Sequence, residues 1–354
     1  MKILYICGRE PSYVRNSVIL KGLKLQKDVE LLEYTSNAEN YFKRYISVFK
    51  KYLLRYSSDC DIVYVGFLGQ PIVPIVKILS KKPIIFDALI SVYDTLCYDR
   101  KIFRSNSIMG KLLYHLDKAS CDLADIVLLD TNTHITYFVD TFKLDKNKFK
   151  RIFIGADDNI FYPRDINKDN DKFKVFYYGT YLPLHGIEYI VKSAKILENY
   201  EDIIFKIVGK GFVYKKIINL VKKLNIKNIE FVEWVPYEEL PLEIAQADIC
   251  LGGHFSDIDK GKRVIAGKTF QFLAMKKPVI VGNNPANREL LTDRKSALFV
   301  EHANPEDLAE KILELKENEK LREKIAEGGY KVFKERCTPK VIGKELLNIM
   351  KKVI

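Results

Sequence analysis

One tryptophan in 354 residues, five histidines, and six cysteines with no CxxC spacing leave this chain little scope for metal or disulfide chemistry. Cys7, Cys60, Cys97, Cys121, Cys250 and Cys337 are scattered, mostly in apolar context. They read as reduced core residues of a cytoplasmic protein, with no disulfide framework and no zinc site. No apolar run approaches the roughly 18 to 20 residues that cross a bilayer. Met1-Lys-Ile-Leu-Tyr-Ile-Cys7 enters a strand pattern at once, so no cleavable signal is expected. Repeats and low-complexity segments are absent. So is GxGxxG after the first strand, where Cys7-Gly-Arg-Glu-Pro-Ser12 stands, and this argues against a hydride cofactor. Asp59-Cys-Asp61 has the form of a DxD metal motif, but it precedes a strand, at the end of a parallel sheet where ligands do not bind.

What is present suits a soluble globular protein of two ordinary domains, with 47% hydrophobic and 29% charged residues. The formal charge of +12 points to an anionic partner: nucleic acid, lipid or a phosphorylated substrate. Between Tyr41 and Tyr56 there are five cations (Lys43, Arg44, Lys50, Lys51, Arg55) and no acid. At 100° per residue these fall opposite Phe42, Tyr45, Ile46, Phe49, Tyr52 and Leu53. Such a helix packs its aromatics inward and can show its cations to an anionic membrane surface. That predicts peripheral contact with the inner face of the cell membrane.

Strands and helices alternate along the chain, which predicts α/β architecture with parallel sheets. Strands are expected at residues 2–7, 29–34, 62–65, 83–86, 126–129 and 151–154 in the first half. In the second half they are expected at 174–178, 203–208, 229–231, 249–252, 279–281 and 297–300. Gly155-Ala-Asp-Asp-Asn-Ile-Phe-Tyr-Pro163 and the polar run to Lys172 read as a linker. Two Rossmann-like domains follow, at 1–160 and 161–335. A terminal helix at 336–354 is expected to return to the first.

Ligands of such sheets bind at the carboxyl ends of the strands. In the second half those ends carry Gly179, Thr180 and His185, then Gly209-Lys-Gly211, then Glu233-Trp-Val235. The ring of Trp234 is expected to be half-buried. Last comes Arg263 to Gln271, in which Gly267-Lys268-Thr269 opens a short apolar helix. A helix start offers unpaired amides and partial positive charge, and Lys268 with Arg263 adds cations. Together they suit a diphosphate, with Gln271 placed for ribose hydroxyls. An ordinary capped helix with nearby surface cations is the plainer alternative.

These segments, in this order, resemble the retaining GT-B fold glycosyltransferases of family four, the glycosyl transferases group 1. The carriers are Ile3-Leu-Tyr-Ile6, Gly155–Pro163, Gly179–Tyr189, the GxG turn, Lys268–Ile280 and Leu308-Ala-Glu-Lys-Ile312. The resemblance implies an acceptor-binding N-terminal domain and a donor-binding C-terminal domain, their sheets facing across a cleft. It also implies a nucleotide-diphosphate sugar as co-substrate, a glycan or lipid-linked acceptor, and no metal or other cofactor. Lys268, Arg263 and Asp87 are the expected catalytic residues. Gly179, Thr180, His185, Gly209, Gly211, Val235, Gly267, Thr269 and Gln271 are expected at the donor. Gly8, Arg9, Tyr13, Arg15 and Asn16 are expected at the acceptor. Departures are specific: the family's two glutamates, eight positions apart, are Arg263 and Gln271 here. Tyr181 and His185 stand near its usual arginine and lysine. A nucleotide-sugar epimerase would want a site rich in carboxylates. A basic nucleic-acid-binding protein would want a recognisable motif, and none is present, so no nucleic acid is expected.

Overall fold

The computed structural model describes residues 1–54, 59–167 and 171–354, in two compact units. Unit 1 is Met1–Gly155 with Arg336–Ile354, and unit 2 is Ala156–Glu335.

Unit 1 holds β1 (Lys2–Cys7), β2 (Glu30–Tyr34), β3 (Ile62–Gly66), β4 (Ile84–Asp87), β5 (Ile126–Leu129) and β6 (Phe149–Arg151). They form one parallel sheet in the order β2-β1-β3-β4-β5-β6. β1, β3, β4 and β5 are buried throughout, apart from Lys2, so they read as continuous apolar runs. One face packs the helices Tyr41–Leu54, Ile72–Leu79, Ile108–Leu123 and Asn132–Phe142. The other packs Val14–Lys24 with the terminal helix Pro339–Met350. That last pair needs two glycines. A Cβ on Gly22 would lie 2.4 Å from the Pro339 carbonyl oxygen, and one on Gly343 would lie 2.1 Å from that of Gly22. The terminal helix thus returns to unit 1.

Unit 2 repeats the plan with β7 (Phe173–Tyr178), β8 (Ile203–Val208), β9 (Ile229–Val232), β10 (Ile249–Leu251), β11 (Val279–Gly282) and β12 (Leu298–Val300). The order is β12-β11-β10-β7-β8-β9, again all parallel. β7 begins the unit yet lies inside it. Its connection to β8 runs one way, and β10 pairs on its other side through Cys250 opposite Phe176. The crevice between the ends of β7 and β10 is therefore the topological switch point, where doubly wound sheets bind ligands.

Three expectations are corrected here. β6 lies at Phe149–Arg151 rather than 151–154, because the next carbonyls are engaged elsewhere: those of Ile152 and Phe153 both accept from Arg15 Nη1 at 2.8 Å. The stretch read as a linker belongs to unit 2 from Ala156 onward, with Phe161 buried and edge-on to Tyr237 at 5.6 Å. The basic helix runs from Tyr41 to Leu54 but does not divide as expected, and Arg55 and Tyr56 lie outside the described residues. Arg44, Val48 and Tyr52 point inward, and Arg44 pairs with Glu10 at 3.1 Å. Phe42, Ile46, Leu53 and Leu54 are exposed beside Lys43 and Lys50.

Candidate functional site

At the β7–β10 switch point the chain gathers buried nitrogen bases. β7 contributes Tyr177 and ends at Tyr178, just before Gly179, and the following turn brings back His185. β10 runs into Gly252-Gly253-His254, and the His254 imidazole stacks on that of His185, ring centres 5.5 Å apart. The helix Gly267–Ala274 sets Lys268 against the same spot. Lys268 Nζ is 3.5 Å from the Tyr177 hydroxyl and 4.7 Å from the centre of its ring. Both histidines and the lysine are buried, and no carboxylate contributes to the shift of any of the three.

Burial pushes Lys268 down from 10.5 to about 7. Burial also holds His185 and His254 well below the ordinary histidine value, and the charge of Lys268 lowers both further. His302, with Nδ1 2.7 Å from the Ser256 carbonyl, is lowered by burial as well. Asp257 is drawn down by its hydrogen bond to Lys262, which occupies it at 2.5 Å.

Several polar atoms here are buried without a protein partner: His185 Nδ1, His254 Nδ1, Tyr181 OH, Thr269 Oγ1 and Gln271 Oε1. Such groups cost stability unless something else satisfies them. Gln271 Nε2 donates to the Tyr237 hydroxyl at 3.4 Å, which fixes its amide. The first turn of Gly267–Ala274 has no side-chain cap, and a Cβ on Gly267 would meet nothing within 4 Å. Open space thus adjoins an uncapped helix start beside a buried lysine.

The expected residues divide accordingly. Lys268, His185, Gly179, Gly267 and Gln271 come together, and Gly179 lies over Tyr177 and His185, with a Cβ there 3.3 Å from His185 Nδ1. Arg263 ends the short helix Asp259–Arg263, four residues before Gly267. Thr269 instead faces the sheet: a Cβ on Gly252 would lie 2.6 Å from its hydroxyl. Gly209 and Gly211 serve the loops themselves. Cβ atoms there would lie 1.9 Å from the Gly179 carbonyl oxygen and 1.8 Å from that of Thr180, so the room is filled by backbone. Val235 is half-buried beyond β9, and Trp234 beside it is 73% exposed rather than half-buried. His254 and Tyr177 were not anticipated.

In unit 1, Asp87, Arg15 and Asn16 form a sealed network. Arg15 donates to both Asp87 oxygens, at 2.8 and 3.0 Å, and Tyr64 donates to Asp87 at 2.8 Å. Burial alone would lower Arg15, but the Asp87 carboxylate outweighs it and holds the guanidinium above its usual value. Asn16 accepts from the Tyr5 hydroxyl at 2.9 Å. All three are fully buried and tie together the ends of β1, β3 and β4. Gly8 is buried and Arg9 half-buried, both amides donating to the Phe67 carbonyl. A pocket of about 510 Å³ opens there, lined by Arg9, Glu10, Ser12, Asn37, Glu39, Tyr41 and Arg44. Tyr13 packs on Phe67 beside it. Among the described residues no group of three or more His, Cys, Asp or Glu could hold a metal, and no helix is long and apolar enough to cross a membrane.

Two parallel six-stranded units with flanking helices define the GT-B fold, and solved structures agree. HepE from Anabaena superposes with a TM-score of 0.74 at 13% identity, covering 99% of this chain and 100% of that one. Sucrose-phosphate synthase from Thermosynechococcus elongatus gives 0.76 at 13% identity, covering 99% and 98%. Residues 158–332 match the model of a family described as Glycosyl transferases group 1. An uncharacterized glycosyltransferase of Methanocaldococcus jannaschii is 31% identical over 196 residues, which is 54% of this chain. The match spans about half of that relative, 52% of its length.

Proposed function

We propose that this protein moves a sugar from a nucleotide-diphosphate sugar to a hydroxyl of a glycan or lipid-linked acceptor, with retention of anomeric configuration and without a metal. The observation that carries the reading is the buried Lys268–His185–His254 cluster beneath an uncapped helix start. It has the chemistry of a diphosphate site. HepE, which shares the fold, has been crystallised with UDP and with UDP-glucose.

Departure of a diphosphate concentrates negative charge on it while the sugar becomes oxocarbenium-like. Lys268, the amides of Gly267–Thr269 and Arg263 would stabilise that charge, pre-set in a dry site. A protonated Lys268 also gives the leaving oxygen a neighbour of opposite sign. That oxygen takes the acceptor proton, so no protein nucleophile is required. Gln271, held by Tyr237, would bind ribose hydroxyls, and Val235 would frame the base. On the acceptor side Gly8, Arg9 and Tyr13 remain, with Glu10, Glu39 and Asn37 suited to sugar hydroxyls. Arg15, Asn16 and Asp87 drop out of the proposed site.

Incorporation of a labelled sugar from UDP-, GDP- or ADP-sugars into membrane and glycan fractions tests the reading, with Lys268→Ala as the control. Transfer from one donor, lost in the variant, supports it. Transfer that survives in Lys268→Ala overturns the assignment of the site. The exposed face of residues 41–54 belongs to the same reading, as a contact with the inner membrane surface when the acceptor is lipid-linked.

A further inference from the structure

Outside the proposed sugar site, unit 1 carries a second surface of unusual composition between β4 and the helix Ile108–Leu123. Arg100, Lys101, Arg104 and Lys111 are all exposed there, and no acidic residue occurs from Arg100 through Leu116. Between these cations stand Ile102, Phe103, Ile108, Met109 and Leu112. Their exposures are 53%, 36%, 89%, 41% and 59%. Isolated exposed apolar residues need no explanation, but five within eleven positions do.

The segment is built to hold them out. Ser107 caps the helix by accepting from the Gly110 amide at 3.1 Å, and its hydroxyl donates to the Arg104 carbonyl at 2.6 Å. A Cβ on Gly110 would lie 2.4 Å from the Arg104 carbonyl oxygen, so the loop sits tightly on the first turn. The helix buries Gly110, Leu113, Asp117, Ser120 and Cys121. At 100° per residue, Ile108 and Leu112 then fall on the opposite side, flanked by Lys111. The loop is thus anchored, and its apolar side chains are presented rather than left over.

We infer that residues 100–112 dock on an anionic lipid surface, with the apolar side chains at the acyl boundary and the four cations at headgroup phosphates. Alternation of the two kinds of side chain suits a medium that offers hydrocarbon and phosphate within a few ångströms of each other. A second copy of this chain would bring the same positive charge against itself, which opposes self-association. The helix Tyr41–Leu54 packs on the same core as Ile108–Leu123 and so covers the same face of the sheet. Its exposed Phe42, Ile46 and Lys50 extend the surface on that side. Docking here depends on neither the donor site nor sugar transfer.

The test is co-sedimentation of the full chain with vesicles of phosphatidylcholine alone, or with about one-third phosphatidylglycerol. Binding to the anionic vesicles should exceed that to the neutral ones and weaken at about 0.5 M salt. Each basic residue near such a surface is worth roughly fivefold in partitioning, so Lys101→Glu with Arg104→Glu should lower it by at least about 25-fold. Ile108→Ser with Leu112→Ser should lower it by about tenfold or more. Thermal midpoints within a few degrees of wild type, measured alongside, show that the variants fold, as exposed substitutions should. Wild type remaining in the supernatant, or either double variant binding like wild type, overturns the inference. So does light scattering that shows a dimer abolished by the variants in the absence of lipid.

Discussion

Lys268→Met should make the protein more stable while destroying the site we propose. The amine is buried without a carboxylate partner, and its titration falls from 10.5 to about 7. At 1.36 kcal/mol per unit, that difference is on the order of 4–5 kcal/mol against folding at or below neutral pH. Because the folded-state value is the lower one, the unfolded chain holds the extra proton between about pH 7 and 10.5. Stability therefore rises with pH through that window and is lost as pH falls toward 7. Methionine removes this titration and keeps most of the side-chain volume, so the gain should approach ~4 kcal/mol at pH 7 and shrink to ~2 kcal/mol by pH 9. For a unit of this size, ~4 kcal/mol corresponds to roughly 8–16 °C in Tm. Thermal and urea unfolding of both proteins at pH 6, 7, 8 and 9 would read it. A gain independent of pH, or a variant no more stable than wild type, would refute the account of Lys268.

Nucleoside diphosphate affinity should fall with rising pH from about 7, by up to about tenfold per unit, since the anion needs the protonated amine. Isothermal titration across pH 6–9 checks this. Asp87→Ala leaves Arg15 buried and unpaired, so it should destabilise unit 1 by about 3–5 kcal/mol in urea unfolding. If it still folds, its nucleotide affinity should match wild type. Gly211→Ala forces a methyl into the Thr180 carbonyl, 1.8 Å from the built position, and should cost about 1–3 kcal/mol and weaken nucleotide binding.

Strand positions were legible because parallel strands buried on both faces print as apolar runs. β1, β5 and β8 fall on the residues expected. β6 shifted because Arg15 captures the carbonyls that would have extended it, a contact across 137 residues that no local pattern shows. The site was half legible for a related reason. Lys268, Gly267 and Gln271 announce themselves at one helix start. His254 does not, because strand order β10-β7 is a property of the sheet and not of the chain sequence. Asp87 ends a strand as a catalytic carboxylate would, yet its two oxygens are taken by Arg15 and Tyr64. Residues 41–54 show the limit of helical periodicity: it found the helix and its cations but not which way the ring of Phe42 turns.

The central claim is that the switch point of unit 2 binds a nucleoside diphosphate through Lys268. Calorimetric titration of UDP, GDP and ADP into wild type and Lys268→Met tests it most directly. The account predicts that one of the three binds at micromolar concentration and that the variant loses that binding by at least about 100-fold, worth roughly 3 kcal/mol. Equal binding by the variant, or no binding of any of the three to wild type, would contradict it.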